Sequence, residues 1–499
     1  MGKVHTEGDP QPRDAALATD SDEFRAAGHA LVDQLADFLT SLPERPVTRD
    51  LDQPAVRDLL GTRPLPEHGE DLAAVLPTTV ELLADNSLFN SHPKFMAYIT
   101  SSAAPVGALG DLIAAVMNPN LGGWTLSAVA SEIETQTVQW IAELLRYPSG
   151  SGGLLVSGGN VANFIGFLAA RRAKTGADIR EKGLIQNGQR LTVYCSSGTH
   201  TWIQKAADLF GLGTEAVRWI PADADHRMDM AQLEATIQAD REAGFTPLLV
   251  VGTAGTVGVG AVDPLREIGA LCQREDIWFH VDGAYGALAA AVDDVPADLH
   301  ALALADSVAV DPHKWLYTPL EAGCALLKDP RHLVDAFSFT PEYYFFGEGE
   351  DRPINYYELG LQNSRGFRAL KVWLGLRVAG RAGAAKMIED DIALTERLHG
   401  RIDEHPDFEA RTLSLSISTF RYMPAGMEAQ EDLNRFNQAL LERLQEEGKF
   451  YPSNAIVDGD FLLRACVVNF RTEAKDVDEI PEIVAATARA MLETSAVSE

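Results

Sequence analysis

The sequence predicts an α/β fold, a mainly parallel sheet covered by helices, with an N-terminal arm before it and a small C-terminal α+β domain after it. Three observations carry that reading. Between about residues 104 and 375, short apolar and β-branched runs alternate with helix-length amphipathic segments. Those runs lack the clean apolar/polar alternation of half-buried strands, so they read as strands covered on both faces. After about residue 380 the pattern changes to two helical stretches, one strand-like run and a final helix.

Taken in order, residues 1–20 are polar and aperiodic and are expected to form a disordered tail. From Ser21 to Leu42, Phe24, Leu31, Leu35, Phe38 and Leu39 fall at helical spacing, and Pro43 ends the run. Pro43 to Pro77 is proline-rich and reads as irregular, and Lys94 to Thr100 then brings Phe95 and Tyr98 to where they can line a pocket. The arm is set at residues 21–103 and the large domain at 104–378. Its strands are Leu154–Val156, Thr192–Cys195, Leu248–Val251, Ile277–Val281, Ser307–Val310 and Cys324–Leu327. Ligands of such sheets bind beyond the carboxyl ends of the strands, which is where functional residues belong. The small domain, 379–499, has helices marked by Ile388, Ile392, Leu398 and Ile402 and by Leu433, Phe436, Leu440 and Leu444, then a strand-like run from Phe461 to Phe470.

The 499 residues are 46% hydrophobic and 23% charged, which excludes a disordered or fibrous chain and leaves room for a buried cavity. Lys and Arg number 42 against 72 Asp and Glu, a net charge of −30 that repels both a phosphate backbone and an anionic lipid surface. Neither a nucleic-acid nor a membrane partner is expected. Cys195, Cys272, Cys324 and Cys466 are far apart in apolar surroundings and read as reduced, buried thiols, so no metal site is expected. No stretch has the length and apolarity of a signal peptide or membrane span, and a cytoplasmic location is the expectation.

Two segments carry the chemistry. Ile277 to Val281 delivers Asp282 at a strand end, followed by the small residues Gly283 and Ala284 that let a flat group approach. A carboxylate there suits a cationic partner, though Asp before Gly-Ala is also a common helix start, and the segment alone leaves both readings open. About 30 residues on, Ser307 to Val310 ends in Asp311-Pro312-His313-Lys314-Trp315. A lysine between an imidazole and an indole is desolvated toward a nucleophilic amine suited to a Schiff base. A surface lysine with its stem laid on Trp315 is the plain alternative.

His280-Val-Asp-Gly-Ala-Tyr285 and Asp311-Pro-His-Lys-Trp-Leu316 together resemble the group II pyridoxal-phosphate (PLP) decarboxylases, of which aromatic-L-amino-acid decarboxylase is the best-known kind, and the resemblance runs from about residue 22 through nearly the whole chain. It implies the fold-type-I PLP-dependent transferase fold with a seven-stranded sheet, and a homodimer with a shared active site. It also implies that Lys314 binds PLP covalently and that Asp282 pairs with the pyridine nitrogen, keeping it protonated so that the ring accepts electrons.

Further segments fit the same family. Val156-Ser157-Gly158-Gly159-Asn160 is a glycine turn opening a helix, whose N–H groups can meet a phosphate; it matches the cofactor-phosphate loop and is no Walker loop. The resemblance assigns His200 to stacking on the ring, His313, Asp311 and Ala284 to the cofactor, and Thr256 to a place beside it, with Thr253 equally plausible on sequence alone. Asp311 stands where asparagine is frequent, an odd neighbour for a phosphate unless only its backbone or a helix cap is used. In the mobile loop the family's tyrosine, which returns a proton to Cα, falls on Tyr343. Phenylalanine there goes with aldehyde synthases, while the bland reading makes Tyr343 and Tyr344 packing residues; the polar run Gly347 to Asp351 beyond reads as a closing lid.

Substrate choice is divided. The family's aromatic pocket positions fall on Asn90, Ile99 and Gly122, while Tyr98 and Trp124 are kept. The missing rings admit either a bulkier indole or an aliphatic side chain such as valine, leucine or methionine, whereas Ser364 matches a serine that favours phenolic rings. Arg365 and Arg368 suit structural ion pairs better than an acidic substrate such as glutamate. The expected reaction is decarboxylation of a neutral, aromatic L-amino acid of the tyrosine, DOPA, phenylalanine or tryptophan type. An aldehyde synthase, an aminotransferase and a non-catalytic relative are the rivals. A dinucleotide site at Gly255-Thr-Val-Gly258-Val-Gly260 lacks the full glycine spacing and the helix that should follow.

Overall fold

A computed structural model describes residues 15–49, 52–175, 179–339 and 353–498. The chain divides into two compact units, one of residues up to Phe89 with Glu446–Gly448, the other of Asn90–Gln445 and Lys449–Glu499. The first boundary therefore lies before, not after, the segment 90–103. That segment is tied into the second unit because Met96 accepts from the N–H of Cys466 and donates to the carbonyl of Tyr451, and Phe95 stacks on Tyr451 with ring centroids 5.7 Å apart. The expected break at 378/379 falls inside the helical run Ala369–Asp403, next to its kink at Gly380, where φ is 67°.

In the first unit the helix Ser21–Ser41 starts where expected, with Asp20 accepting from the N–H groups of Asp22 and Glu23. The stretch read as irregular is instead partly helical, Gln53–Leu60 and Leu72–Asn86. Asp52 and Asp71 cap these helices, and Pro54 sits in a first turn where its missing N–H costs nothing. The proline count concealed two good starts.

The second unit is built on a seven-stranded sheet: β1 Gly152–Val156, β2 Leu191–Ser196, β3 Val217–Ile220, β4 Thr246–Thr253, β5 Trp278–Asp282, β6 Ser307–Val310 and β7 Gly323–Leu327, in the spatial order β1-β7-β6-β5-β4-β2-β3. All neighbours run parallel except β7, which is antiparallel to both β1 and β6. Strands β2, β5, β6 and β7 are buried at every residue, as their unbroken apolar runs require. No apolar run marks β3, a four-residue edge strand in which Arg218 is half-buried against Asp240 and Trp219 is exposed. Cys195, Cys272, Cys324 and Cys466 are free and buried. No helix among the described residues is long and apolar enough to cross a membrane.

A second sheet, β8 Phe408–Ser414, β9 Ile417–Tyr422, β10 Ser453–Val457 and β11 Asp460–Cys466, is ordered β10-β11-β9-β8. Only β11 is visible as an apolar run. The β10–β11 hairpin had a local signal, since Asp458-Gly459 occupies a two-residue turn with φ of 51° and 84°.

Candidate active site

Strand β1 ends at Val156 and passes through Ser157-Gly158 into the helix Gly159–Thr175. Two close approaches demand the glycines. A Cβ on Gly159 would lie 2.8 Å from Oδ2 of Asp311, and a Cβ on Gly323, at the start of β7, would lie 2.5 Å from the Gly158 backbone, itself at φ 151°. The turn leaves the first N–H groups of a 17-residue helix facing a cavity. Behind it, Glu134 Oε1 accepts from the N–H of Leu155 at 2.9 Å, and Arg365 closes a buried ion pair with Glu134 at 2.5 and 3.1 Å while donating to the carbonyl of Leu155 at 2.7 Å. Arg365 is thus committed to the strand carrying the turn, and Arg368 pairs with Glu321 at 2.9 Å.

Beyond β6, Pro312–Trp315 forms a single helical turn. His313 is fixed by Ala322, whose carbonyl accepts from its N–H at 3.1 Å and whose N–H donates to Nδ1 at 3.2 Å. Burial lowers the His313 imidazole, with the Asp311 charge opposing. Lys314 Nζ lies 3.3 Å from Asp311 Oδ2. Trp315, expected to flank the lysine, is fully buried: its indole donates to Asp391 Oδ2 at 2.9 Å and stacks on Tyr285 with centroids 4.8 Å apart.

Asp282 closes β5 and caps no helix. Its Oδ2 accepts from the indole N–H of Trp202 at 2.7 Å and its Oδ1 from the N–H of Ala284 at 3.3 Å. His200 stands two residues before Trp202, and its imidazole is lowered by desolvation, with the Asp282 charge opposing. Beneath them His280, pushed down to about 4 by complete burial and so neutral, is within 2.8 Å of Ser307 Oγ and 2.7 Å of Asn163 Oδ1. A Cβ on Gly166 would come within 2.6 Å of that imidazole, so the helix carries glycine where it crosses.

These groups enclose a cavity of about 390 Å³ lined by Gly158, Gly159, Asn160, His200, Asp282, Ala284, Asp311, His313 and Lys314. Thr256 is not among the lining residues. Its hydroxyl accepts from the N–H of Ala261 at 3.0 Å and closes its own loop, and Thr253 faces the cavity instead. Asn163 and Tyr285 also line the cavity and Trp202 anchors it, and none of the three was singled out from sequence. The His-Thr-Trp spacing offered a hint for Trp202; the others are recognisable only from tertiary packing. Tyr343 lies outside the described residues.

The five expected substrate residues do not line this cavity within one chain. Tyr98, at φ 53°, is exposed and its carbonyl accepts from Arg464 at 2.9 Å, and Ile99 packs against the large core. Gly122 and Trp124 join another loop: Tyr357 donates to the Gly122 carbonyl at 3.0 Å, Asn355 Oδ1 accepts from the N–H of Trp124 at 3.1 Å, and Trp124 Nε1 donates to Glu132 at 2.7 Å. Ser364, exposed, belongs to the same loop cluster. A Cβ on Gly122 would meet the Asn363 carbonyl at 2.2 Å, so the room vacated by an aromatic ring at this position is filled by backbone.

The residues fit PLP. A glycine turn with free N–H groups suits its phosphate, Lys314 its aldehyde and Asp282 its ring nitrogen, in a cavity of about 390 Å³ with Ala284 as a small floor residue. No cluster of three or more His, Cys, Asp or Glu arranged for a metal occurs among the described residues.

Comparison with known proteins agrees. The chain is 33% identical over 471 residues to the aromatic-L-amino-acid decarboxylase of Bacillus atrophaeus, covering 93% of this chain and 95% of that one. It is 29% identical over 492 residues to phenylacetaldehyde synthase of a Rosa hybrid cultivar, covering 96% of each. The crystal structure of Oryza sativa TDC with PLP and tryptamine superposes with a TM-score of 0.88 at 28% identity, over 95% of this chain and 99% of the other. The family described as the pyridoxal-dependent decarboxylase conserved domain matches residues 57–422, well over half the chain. With the fold-type-I sheet and the lysine, carboxylate and glycine turn gathered around one cavity, the chain belongs to the pyridoxal-dependent decarboxylases and is a PLP-dependent amino-acid carboxy-lyase.

Proposed function

We propose that this enzyme converts a neutral, aromatic L-amino acid of the tyrosine, DOPA, phenylalanine or tryptophan type to its amine and CO2. The observation that carries the reaction is the convergence of Lys314, Asp282 and the Gly158–Gly159 turn on one cavity of about 390 Å³. The aromatic preference is supported by the relatives' names, and an acidic substrate is disfavoured because Arg365 and Arg368 are engaged by Glu134 and Glu321.

Bound PLP supplies an electron sink for the pair released as CO2 departs. In this reading Lys314 would hold the cofactor at its aldehyde end, Asp282 would keep a proton at the ring nitrogen, and His200 would help hold the ring. Ser157 to Asn160 and His313 hold the phosphate, and Tyr343, outside the described residues, returns a proton to Cα. The helix Pro105–Met117 leaves Leu109, Leu112, Ile113, Val116 and Met117 exposed, an apolar face that supports a homodimer. In that assembly Tyr98, Ile99, Gly122, Trp124 and Ser364 would complete the partner's cavity, which accounts for their distance from their own. Buried free thiols favour a reducing, cytoplasmic setting.

A second reading, an aldehyde synthase, is favoured by the Rosa relative. The test is to incubate PLP-loaded enzyme with the proteinogenic L-amino acids and follow CO2, amine and peroxide, with Lys314→Ala as control. Amine and CO2 from aromatic substrates, absent in the control, support the proposal; aldehyde with peroxide supports the second reading, and turnover of only aliphatic or acidic substrates overturns the substrate class.

A further inference from the structure

Beneath the glycine turn sits a carboxyl group that is half unpartnered. Asp311 is 2% exposed, and its Oδ1 is buried with no hydrogen-bond partner among the described residues. Oδ2 lies 3.3 Å from Lys314 Nζ and 3.6 Å from His313 Nε2. The side chain does not cap the turn Pro312–Trp315, which removes the innocent explanation for an aspartate there. Instead it lines the cavity and presses on the helix start, where a Cβ on Gly159 would come within 2.8 Å of Oδ2.

A phosphate monoester carries a charge of about −1.5 to −2 near neutrality. An ionised carboxylate buried against it is strongly unfavourable, whereas a neutral carboxylic acid has an O–H to donate to a phosphate oxygen. Oδ1, buried and unpaired, is the oxygen whose proton no neighbour already engages. Five titratable groups act on this carboxyl: Lys314 and His313 from its own turn, Asp282 from β5, Cys324 from β7 and His200 from the segment after β2. The helix start offers only Gly159, Asn160 and Val161, none of which titrates. Lys314 is the main cation that would hold Asp311 ionised, and it is the group the cofactor's aldehyde engages.

We infer that Asp311 holds the cofactor's phosphate as a neutral carboxylic acid, donating from Oδ1, so that cofactor loading is coupled to uptake of one proton from solvent at this residue. Burial holds this carboxyl above the usual range already in the free protein, which lowers the cost of that proton. The inference rests on the PLP-dependent reading above and adds that the affinity for the phosphate is set by protonation of a residue inside the site.

The test is the apparent Kd of the full-length apoenzyme for PLP and for pyridoxal, which lacks the phosphate, by absorbance and tryptophan fluorescence from about pH 6 to 9, for the parent and Asp311→Asn. Asn keeps the shape and a donor but cannot titrate. The expected result is that the parent-to-variant ratio of PLP Kd values rises with pH, approaching tenfold per unit, while the ratio for pyridoxal stays flat. A PLP ratio independent of pH, or one mirrored by pyridoxal, overturns the inference. If Asp311→Asn does not fold, titration calorimetry of the parent in two buffers of different ionisation enthalpy decides: about one more proton taken up with PLP than with pyridoxal near pH 8 supports it, and no difference overturns it. Failure of the parent to bind PLP at all would sink the functional reading instead, so the two outcomes are distinct.

Discussion

The indole N–H of Trp202 donates to Oδ2 of Asp282 at 2.7 Å, which leaves Oδ1, held among the described residues by the Ala284 N–H at 3.3 Å, as the oxygen available to a cavity ligand. Trp202 begins the helix Trp202–Leu209 two residues after His200, so one short segment sets both the imidazole and the carboxylate.

Removing that donor while keeping the bulk should loosen the cofactor. Hydrogen bonds to charged groups contribute about 1.5–3 kcal/mol, so Trp202→Phe is expected to weaken PLP binding roughly 10- to 100-fold. Fluorescence titration of the apoenzyme checks this, and an unchanged Kd in a folded variant would contradict it.

The Arg365–Glu134 pair, 2% and 0% exposed at the side chains, predicts a stability effect. Glu134→Gln leaves a buried guanidinium without its counter-charge, which costs about 3–5 kcal/mol. Thermal unfolding should show a clear drop in Tm for Glu134→Gln, and replacing both residues by leucine should recover part of it; a neutral single variant would refute the pairing argument.

Asp391 makes stability pH-dependent. Its carboxyl accepts from Trp315 at 2.9 Å and Tyr317 at 2.6 Å, yet burial pushes its pKa up to about 7. An unfolded aspartate titrates near 3.9, roughly, so between those values the folded state holds a proton that the unfolded one releases. This group's contribution is therefore intact below about pH 4, declines as pH rises to about 7, and is flat above. Asp391→Asn keeps an acceptor and abolishes the titration, so its Tm relative to the parent should rise by about a few degrees between pH 5 and pH 8. A pH-independent difference would remove Asp391 as the cause.

Gly323→Ala puts a methyl 2.5 Å from the Gly158 backbone. The turn must move, and the expected result is a loss of PLP affinity of at least about tenfold, with a smaller relative loss for pyridoxal, because the displaced N–H groups are those proposed to hold the phosphate. Equal losses for both ligands would locate the damage elsewhere.

Asp282 and Lys314 were legible because strand ends in a parallel sheet are where ligands bind, and a charged residue after an unbroken apolar run is conspicuous. The strands themselves were legible for the same reason: burial on both faces writes Leu248–Val251 or Ser307–Val310 as continuous apolar runs. What was hidden depends on pairing across the chain. Nothing local says that β7 is antiparallel, that Thr253 rather than Thr256 faces the cavity, or that Trp315 turns toward Asp391. The strands β3 and β8 are half-exposed and mix polar with apolar residues, and β9, though buried, carries Ser418, Thr419 and Arg421 among its apolar residues, so their periodicity fades.

On the proposed placement of Gly122 at the partner's cavity, its close approach to the Asn363 carbonyl bears on how specificity can change. Because the loop at 363 already occupies the space, a ring cannot return at 122 by a single change: the 355–365 segment has to shift first, and it is pinned by Asn120, whose Oδ1 accepts from Gly122 at 2.9 Å and from Arg365 at 3.1 Å. The two loops are epistatic, and the order of mutations matters. Directed evolution that randomises one loop at a time will find this wall rigid, and a library that varies both together is the one that can reshape it.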